Sequence, residues 1–376
     1  MNIGLDGNEA NVGARVGSGQ YAASMLGEFA KVNNHNFIVY LKEKPLADLP
    51  KETANFKYKV FGPKKLWTQL ALPLKLTFGS KPDIFFTLGH YGPRFSKIPY
   101  VVTIFDLSYI HYPNLFNKND LYQLVNWSKY SIKKSKHIFA ISESTKKDLV
   151  KNFKIDSSKI SVTYMGYDQQ TFKPQSKSAV DKVKAKYKII GDYIVFVGTL
   201  QPRKNIERLI EAFCNLLLQS KTRTNEQLKI KNLKLVIIGR KGWLYDSIFQ
   251  KVKNLNLISS VIFTDYVPVK DLSALLSGSK LYVSPSLYEG FGIPVIEAQA
   301  CGVPVVVSST SSLPEIVGDS GILIDPESVD SIVNGIKKVL SNEKLSKELV
   351  TKGFTNIKRF SWQKCADETL KILESL

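Results

Sequence analysis

Two acids and two cations stand where an ordinary core places neither. The stretch SPSLYEGFGIPVIEAQACGVPVVVS, Ser284 to Ser308, sets Glu289 between Tyr288 and Gly290, and a second acid, Glu297, in a segment that reads as a helix. Pro285 ends the apolar run before it, Gly290 and Gly292 make a tight loop, and Pro294 suits a first helical turn, which puts Glu297 near the helix start. The N–H groups of Phe291, Gly292 and Ile293 then lie at the positive end of a helix dipole, as donors for a phosphate or a sugar hydroxyl. Glu297 also has a plainer role there, helix-start stabilisation worth about 0.3–1 kcal/mol. Glu289, a loop carboxylate, has no helix to stabilise. A second stretch, GTLQPRKNIERLIEAF, sets Arg203 and Lys204 just before an amphipathic helix bearing Ile206, Leu209, Ile210 and Phe213. Two cations beside a helix mouth form a diphosphate receptor, because side-chain charge and backbone donors converge on one anion. The alternative is an exposed basic pair set slightly against the dipole.

Strands must hold these loops. Short runs of Val, Ile and Phe recur along the chain, from NIGLD, NFIVYL, DIFFTL, YVVTIFD, HIFAIS and ISVTYM to YIVFVG, KLVIIG, VIFTDY, LYVSPS, VPVVVS and GILID, each followed by a segment of helical period. That alternation predicts an α/β fold of two Rossmann-like domains with parallel sheets, facing each other across a cleft. The break falls after Met165-Gly166, where KPQSKSAVDKVKAKYK is polar and rich in lysine. The expected division is a first domain over 1–172, a linker over 173–190, a second domain over 191–360 and a C-terminal helix over 361–376. Ligands of such sheets sit beyond the carboxyl ends of the strands. The loop of the first domain, DGNEANVGARVGSGQYAASML, brings Gly13, Gly17 and Gly19 between the first strand and the first helix, where backbone approaches a phosphate closely. This is not G-x-G-x-x-G, and a flexible turn explains the glycines as well.

With 376 residues, 44% of them apolar, the chain is long enough for two or three domains with real cores. No apolar run approaches the roughly 20 residues of a membrane span, and MNIGLDGN enters a strand with no basic, apolar leader, so a cytoplasmic protein is expected. Cys214, Cys301 and Cys365 are widely spaced and form no Cys-x-x-Cys, which points to neither disulfides nor zinc. The formal net charge of +19 implies attraction to a polyanion: nucleic acid, anionic lipid or a phosphorylated substrate. Between Lys51 and Tyr100 nine Lys or Arg stand against two acids, Glu52 and Asp83. A solvated lysine-rich surface is the plain explanation.

Together these residues resemble the retaining family-four glycosyltransferases of the GT-B fold, the mannosyltransferase-like group 1. The resemblance rests on the E-x7-E of EGFGIPVIE, on AQACGVPVV, SSLPEIVGDSGILIDP and GTLQPRKN, and in the first half on TIFDLSYIHYP and AISESTKKDL. It spans essentially the whole chain. It implies that Arg203 and Lys204 hold the donor diphosphate, that Glu297 holds the ribose hydroxyls and that Glu289 faces the transferred sugar. Phe291, Gly292 and Ile293 match backbone donors to sugar and phosphate, Tyr266 and Val267 the stretch edging the base, and Gly17 and Gly19 the glycine loop reaching the diphosphate from the other domain. The C-terminal FSWQKCADETLKILESL matches a helix that crosses back onto the first domain, with domain closure over donor as the expected motion. The family often has His-Asp where this chain has Phe105-Asp106. Asp106 then either orients an acceptor hydroxyl or caps its loop. His90, in TLGHYGP, and His111, in IHYP, are acceptor-side candidates, with a purely structural role as the alternative for each.

The implied reaction is transfer of a hexose from a nucleotide sugar, GDP-mannose first, to a hydroxyl of a lipid-linked or growing saccharide with retention of configuration. Charge growing on the departing diphosphate meets Arg203, Lys204 and the helix mouth. No Asp-x-Asp or histidine cluster offers a divalent cation a site, so no metal or other cofactor is expected. PKKLWTQLALPLKL, with Trp67, Leu70, Leu74 and flanking lysines, reads either as an amphipathic face in peripheral contact with an anionic membrane at its inner side or as a plain core helix interrupted by Pro73. Three rivals remain: a nucleotide-sugar epimerase on the same architecture, a glycosidase, whose two carboxylates must flank one bond, and a basic nucleic-acid-binding protein. No zinc finger, helix-turn-helix or basic-aromatic RNA signature supports specific nucleic-acid binding.

Overall fold

A computed structural model describes residues 1–79, 81–222 and 232–376. The chain divides into two compact units, Met1–Gly166 joined by Phe360–Leu376, and Tyr167–Arg359.

The first unit is a seven-stranded parallel sheet. Its strands are β1 (Asn2–Asp6), β2 (Asn36–Leu41), β3 (Phe56–Val60), β4 (Ile84–Thr87), β5 (Tyr100–Ile104), β6 (His137–Ala140) and β7 (Ile160–Val162), in the order β3-β2-β1-β4-β5-β6-β7. Every residue of β4, β5 and β6 is buried, as a strand covered by helices on both faces requires. β3, FKYKV, is the strand that unbroken apolar runs do not reveal: it alternates Phe56, Tyr58 and Val60 with lysines at the sheet edge. The C-terminal helix Trp362–Ser375 packs on the helix Gly17–Phe29 of this unit, where the rings of Tyr21 and Trp362 meet edge-on at 6.1 Å. His35 Nε2 and Glu374 Oε1, 2.8 Å apart, tie its far end to the start of β2.

The second unit is a six-stranded parallel sheet of β8 (Tyr193–Val197), β9 (Lys234–Ile238), β10 (Val261–Asp265), β11 (Leu281–Ser284), β12 (Val305–Ser308) and β13 (Gly321–Ile324), in the order β10-β9-β8-β11-β12-β13. Ile194, Phe196, Leu235, Ile237, Val283 and Val306 meet Leu209, Ile210 and Phe213 of the helix Ile206–Thr222 in one core. Gly239 allows the loops after β8 and β9 to touch: its φ is 149°, and a Cβ there would lie 2.0 Å from the Gly198 carbonyl oxygen. The segment expected as a linker, 173–190, belongs to this unit and contains the helix Lys177–Lys186, which packs on the helix Val269–Ser277. The short stripe Ala179, Val180 and Val183 among the lysines supplies the apolar face, and Lys186 pairs with Asp271 at 2.5 Å. Among the described residues no helix is long and apolar enough to cross a membrane.

Candidate active site

β8 and β11 are neighbours in the second sheet although β9 and β10 lie between them in sequence. At such a reversal the loops after the two strands diverge, and the sheet opens a crevice at its carboxyl edge. The loop after β8 carries Arg203 and Lys204; the loop after β11 carries Glu289. Backbone joins them, for Leu287 N–H donates to the Arg203 carbonyl at 2.9 Å. Asn205, in the left-handed conformation at φ 57° that asparagine tolerates, donates from Nδ2 to the carbonyls of Pro285 (2.9 Å) and Pro326 (2.7 Å).

This scaffold brings both cations onto one carboxylate. Lys204 Nζ lies 2.5 Å from Glu289 Oε1, and Arg203 Nη1 lies 3.3 Å from Glu289 Oε2 and also donates to the Tyr288 carbonyl. The three side chains are 14%, 13% and 10% exposed, so their attraction acts with little screening by water. Glu289 is fixed from its own backbone as well: its N–H donates to Ser311 Oγ and its carbonyl accepts from Ser312 Oγ, each at 2.9 Å. Burial acts most strongly on its acidity and would raise its pKa. Lys204 first and Arg203 next reverse that, with hydrogen bonds from Lys204 and Ser286, and hold the carboxyl below the ordinary glutamate range.

Four residues further on the helix Ile293–Ala300 begins. Gly292 caps it at φ 106°, a conformation that calls for glycine, and a Cβ there would also press on Leu313 Cδ2 at 2.8 Å. Ser312 Oγ steadies the turn by donating to the Phe291 carbonyl at 3.0 Å, and the first helical N–H groups, Gly292 and Ile293 among them, lie beyond the reach of intrahelical acceptors. Glu297 stands in the second turn, not at the helix start, so stabilisation of the helix start does not account for it. It is partly buried, and burial, helped by the negative charge of Asp168, pushes its carboxyl up to about 8. Tyr266 and Val267 follow β10, two strands from β8 in the sheet. Val267 is buried, whereas Tyr266 is half exposed with the Arg240 guanidinium 4.3 Å from its ring centre.

The remaining candidates lie in the first unit. Gly17 and Gly19 are not loop residues: both fall in the first turn of the helix Gly17–Phe29, the loop having already closed with Val16. A Cβ on Gly17 would have open space but its φ of 33° is one that side chains rarely adopt, and a Cβ on Gly19 would lie 3.0 Å from the Glu9 carbonyl oxygen, so each glycine has an internal reason for its place. Asp106 follows β5, and its Oδ1 accepts from Ser108 N–H at 2.9 Å and Ser108 Oγ at 2.6 Å, the geometry of a loop cap. Phe105, just before Asp106, has its ring 5.3 Å from that of His90. His90 is partly buried with Nδ1 unpartnered among the described residues; burial lowers its pKa, against the opposing pull of Asp106 and Glu9. It lines a cavity of about 360 Å³ at the β1/β4 reversal, together with Asp6, Glu9, Gln69 and Trp127. His111 is turned to other work: its Nε2 lies 2.7 Å from Asp148 Oδ2, which ties the short helix Ser108–His111 to Glu143–Phe153.

Sequence reasoning missed Asp6 and Glu9, although Asp6 ends β1 and Glu9 stands in the loop after it, where ligands of parallel sheets collect. It also missed Asn205 and Ser312, whose roles arise from contacts between distant loops.

The family model for glycosyl transferases group 1 matches residues 181–355, and that for glycosyltransferase family 4 matches residues 17–171. O-antigen chain mannosyltransferase B of Escherichia coli is 30% identical over 293 residues, 76% of this chain and 74% of that protein. The chain belongs to the family-four glycosyltransferases. O-antigen chain mannosyltransferase RfbU of Salmonella typhimurium is 29% identical to this glycosyltransferase over 72% of its chain and 68% of the relative. Among solved structures, Alr3699/HepE of Anabaena, in complex with UDP and glucose, superposes with a TM-score of 0.76 at 19% identity, covering 100% of this chain and 99% of that one. The fold of this glycosyltransferase is therefore GT-B, with two Rossmann-like parallel-sheet domains. Among the described residues no cluster of three or more His, Cys, Asp or Glu side chains is arranged to hold a metal ion.

Proposed function

We propose that this glycosyltransferase moves a hexose, mannose first, from a nucleotide sugar, GDP-mannose first, to a hydroxyl of a lipid-linked or growing saccharide, retaining configuration and using no metal. One observation carries the reading: where the second sheet reverses its strand order, two nearly buried cations meet Glu289, in the loop that leads into a glycine-capped helix start. In this mechanism Arg203, Lys204 and the N–H groups of Gly292 and Ile293 receive the charge that grows on the departing diphosphate. The diphosphate must compete with Glu289 for both cations, and the carboxylate it releases faces the sugar being transferred. Glu297 holds the ribose hydroxyls; Phe291 and the Tyr266–Val267 stretch border sugar and base. The leaving phosphate helps take the acceptor's proton, so the site needs no separate strong base. Gly17 contributes backbone toward the diphosphate, with Gly19 shaping that turn.

On the acceptor side, the cavity beside His90 offers carboxylates, amides and two indole rings, groups that suit a polyhydroxylated saccharide. Asp106 serves by holding the loop around Phe105. The choice of mannose is supported by the two relatives named as mannosyltransferases. A cytoplasmic enzyme working at the inner face of a membrane fits a lipid-linked acceptor, and no specific nucleic-acid partner is proposed.

Thermal-shift measurements with GDP-, UDP- and ADP-sugars in chelator test the reading. GDP-mannose is expected to raise the melting temperature most, and Glu297→Ala to remove most of that shift. No shift with any of the three sugar nucleotides, in protein that melts cooperatively, would overturn it.

A further inference from the structure

Arg240 is the second residue past β9, at the carboxyl edge of the second sheet. Among the described residues no carboxylate or carbonyl engages its guanidinium; what holds it is the ring of Tyr266, whose centre is 4.3 Å away. Lys241, the very next residue, turns elsewhere, to the rings of Tyr245 at 5.2 Å and Phe249 at 5.3 Å. The backbone explains why Tyr266 is at hand. β10 ends on an irregularity, for its register against β9 shifts between Phe263 and Asp265. Asp265 sits there at φ 59°, a left-handed conformation that aspartate tolerates. Its carbonyl accepts from Gly239 N–H at 3.1 Å and its Oδ1 from Tyr266 N–H at 2.8 Å. A bulge of this kind re-aims the side chain that follows it, here toward the loop after β9.

The pair stands beside the diphosphate cations. Leu200 N–H donates to the Arg240 carbonyl at 2.8 Å and Gly242 N–H to the Leu200 carbonyl at 2.9 Å, so this loop is tied to the one that carries Arg203 three residues later. Neighbouring strands lie about 4.8 Å apart, which sets Arg240 one strand and Tyr266 two strands from the loop after β8. A nucleoside whose diphosphate lies at Arg203 and Lys204 can reach that far with its base. Stacking of arginine on tyrosine is common on surfaces, but it takes up only the flat face of the guanidinium and leaves the N–H donors along its edge available. Tyr266 itself is 49% exposed, so the edge is open to a ligand. A planar fork of two parallel donors needs two acceptors side by side. Guanine offers them in O6 and N7, whereas adenine sets an amino donor beside N7 and uracil has O4 alone.

We propose that Arg240, held flat against Tyr266, selects a guanine donor by donating a pair of hydrogen bonds to O6 and N7 of the base. The inference deepens the donor site proposed above and rests on its diphosphate lying at Arg203 and Lys204. The test is isothermal titration of the full chain, wild type and Arg240→Lys, with GDP, UDP, ADP, 7-deaza-GDP and inorganic pyrophosphate. Lysine keeps the charge and loses the fork. Wild type should bind GDP about tenfold or more tightly than UDP or ADP, and 7-deaza-GDP, in which C–H replaces N7, about tenfold more weakly than GDP. Arg240→Lys should lose about tenfold for GDP and little for 7-deaza-GDP or UDP, because the bond that each change removes is the same one. Its melting temperature and its affinity for pyrophosphate should stay as in the wild type. Wild type that binds 7-deaza-GDP or UDP as tightly as GDP, or a variant that keeps the full preference for GDP, would overturn the proposal while pyrophosphate binding left the diphosphate site standing. Failure of pyrophosphate and every nucleotide to bind would remove the donor site itself, and this inference with it.

Discussion

Replacing Glu289 by glutamine separates the two tasks assigned to its carboxylate. At an effective dielectric of about 20, contacts of 2.5 Å to Lys204 and 3.3 Å to Arg203 carry gross attractions of about 7 and about 5 kcal/mol. Most of that is offset by the desolvation of three nearly buried charges. Removing one partner of such a cluster nevertheless costs about 3–5 kcal/mol, because the others stay buried and uncompensated. Glutamine keeps a carbonyl acceptor, so about 3 kcal/mol is expected for Glu289→Gln. In a unit of this size that lowers the melting temperature by about 6–12 °C. Nucleoside diphosphate binding should change in the opposite direction. A phosphate and a carboxylate sharing one ammonium about 5 Å apart repel by about 1–3 kcal/mol, so the variant should bind GDP or UDP about tenfold more tightly than the wild type. Sugar transfer should fall at the same time, since the acid facing the sugar is lost. Differential scanning calorimetry supplies the stability and isothermal titration the affinity. A variant that melts with the wild type and binds diphosphate no better would refute the shared-cation argument.

Glu297 gives a pH signature: a free glutamate ionises near 4.5, but this one holds its proton to about 8. Between those values the folded chain keeps a proton that the unfolded chain has released, so stability falls as pH rises, by at most about 1.4 kcal/mol per unit. Glu297→Gln should lack that slope in calorimetry, melting above the wild type at pH 8.5 and converging with it near pH 4.5; parallel profiles would contradict the burial argument. Gly292→Ala should destabilise the second unit by about 1–3 kcal/mol in urea titrations, since it adds a left-handed strain and a contact with Leu313. Asp106→Ala should lower stability by about 1 kcal/mol through the lost cap, while Asp106→Asn keeps most of it and most of the turnover; a large loss of turnover in Asp106→Asn would give that carboxylate a direct role in transfer.

Strands buried on both faces were legible because their apolar runs are unbroken, as in Tyr100–Ile104 and Val305–Ser308. The edge strand Phe56–Val60 was not, because its alternating lysines read as part of a basic surface. The helix Lys177–Lys186 was lost for a related reason: a three-residue apolar stripe among lysines resembles a linker until a partner helix is present. At the site, residue types marked Arg203, Lys204 and Glu289 as ligand groups, and the proline and glycines marked the helix start. That the two cations converge on Glu289 was not legible, because the contact spans 85 residues of sequence and is set by which strands are neighbours. Likewise the sequence left Asp106 between orienting an acceptor hydroxyl and capping its loop, and the bonds to Ser108, only two residues on, supply the cap. The same limit applies to Asp6, Glu9 and His90, which meet around one cavity only because β1 and β4 pair in the sheet.

The central claim is that Arg203 and Lys204 receive a diphosphate, and paired titrations of GDP and GMP, and of UDP and UMP, against wild type and Lys204→Ala test it most directly. Loss of one charge-assisted bond worth about 1.5–3 kcal/mol should weaken the diphosphates by about 10- to 150-fold and leave the monophosphates much less affected. Equal affinity of variant and wild type for the diphosphates, or equal losses for both classes of nucleotide, would contradict it.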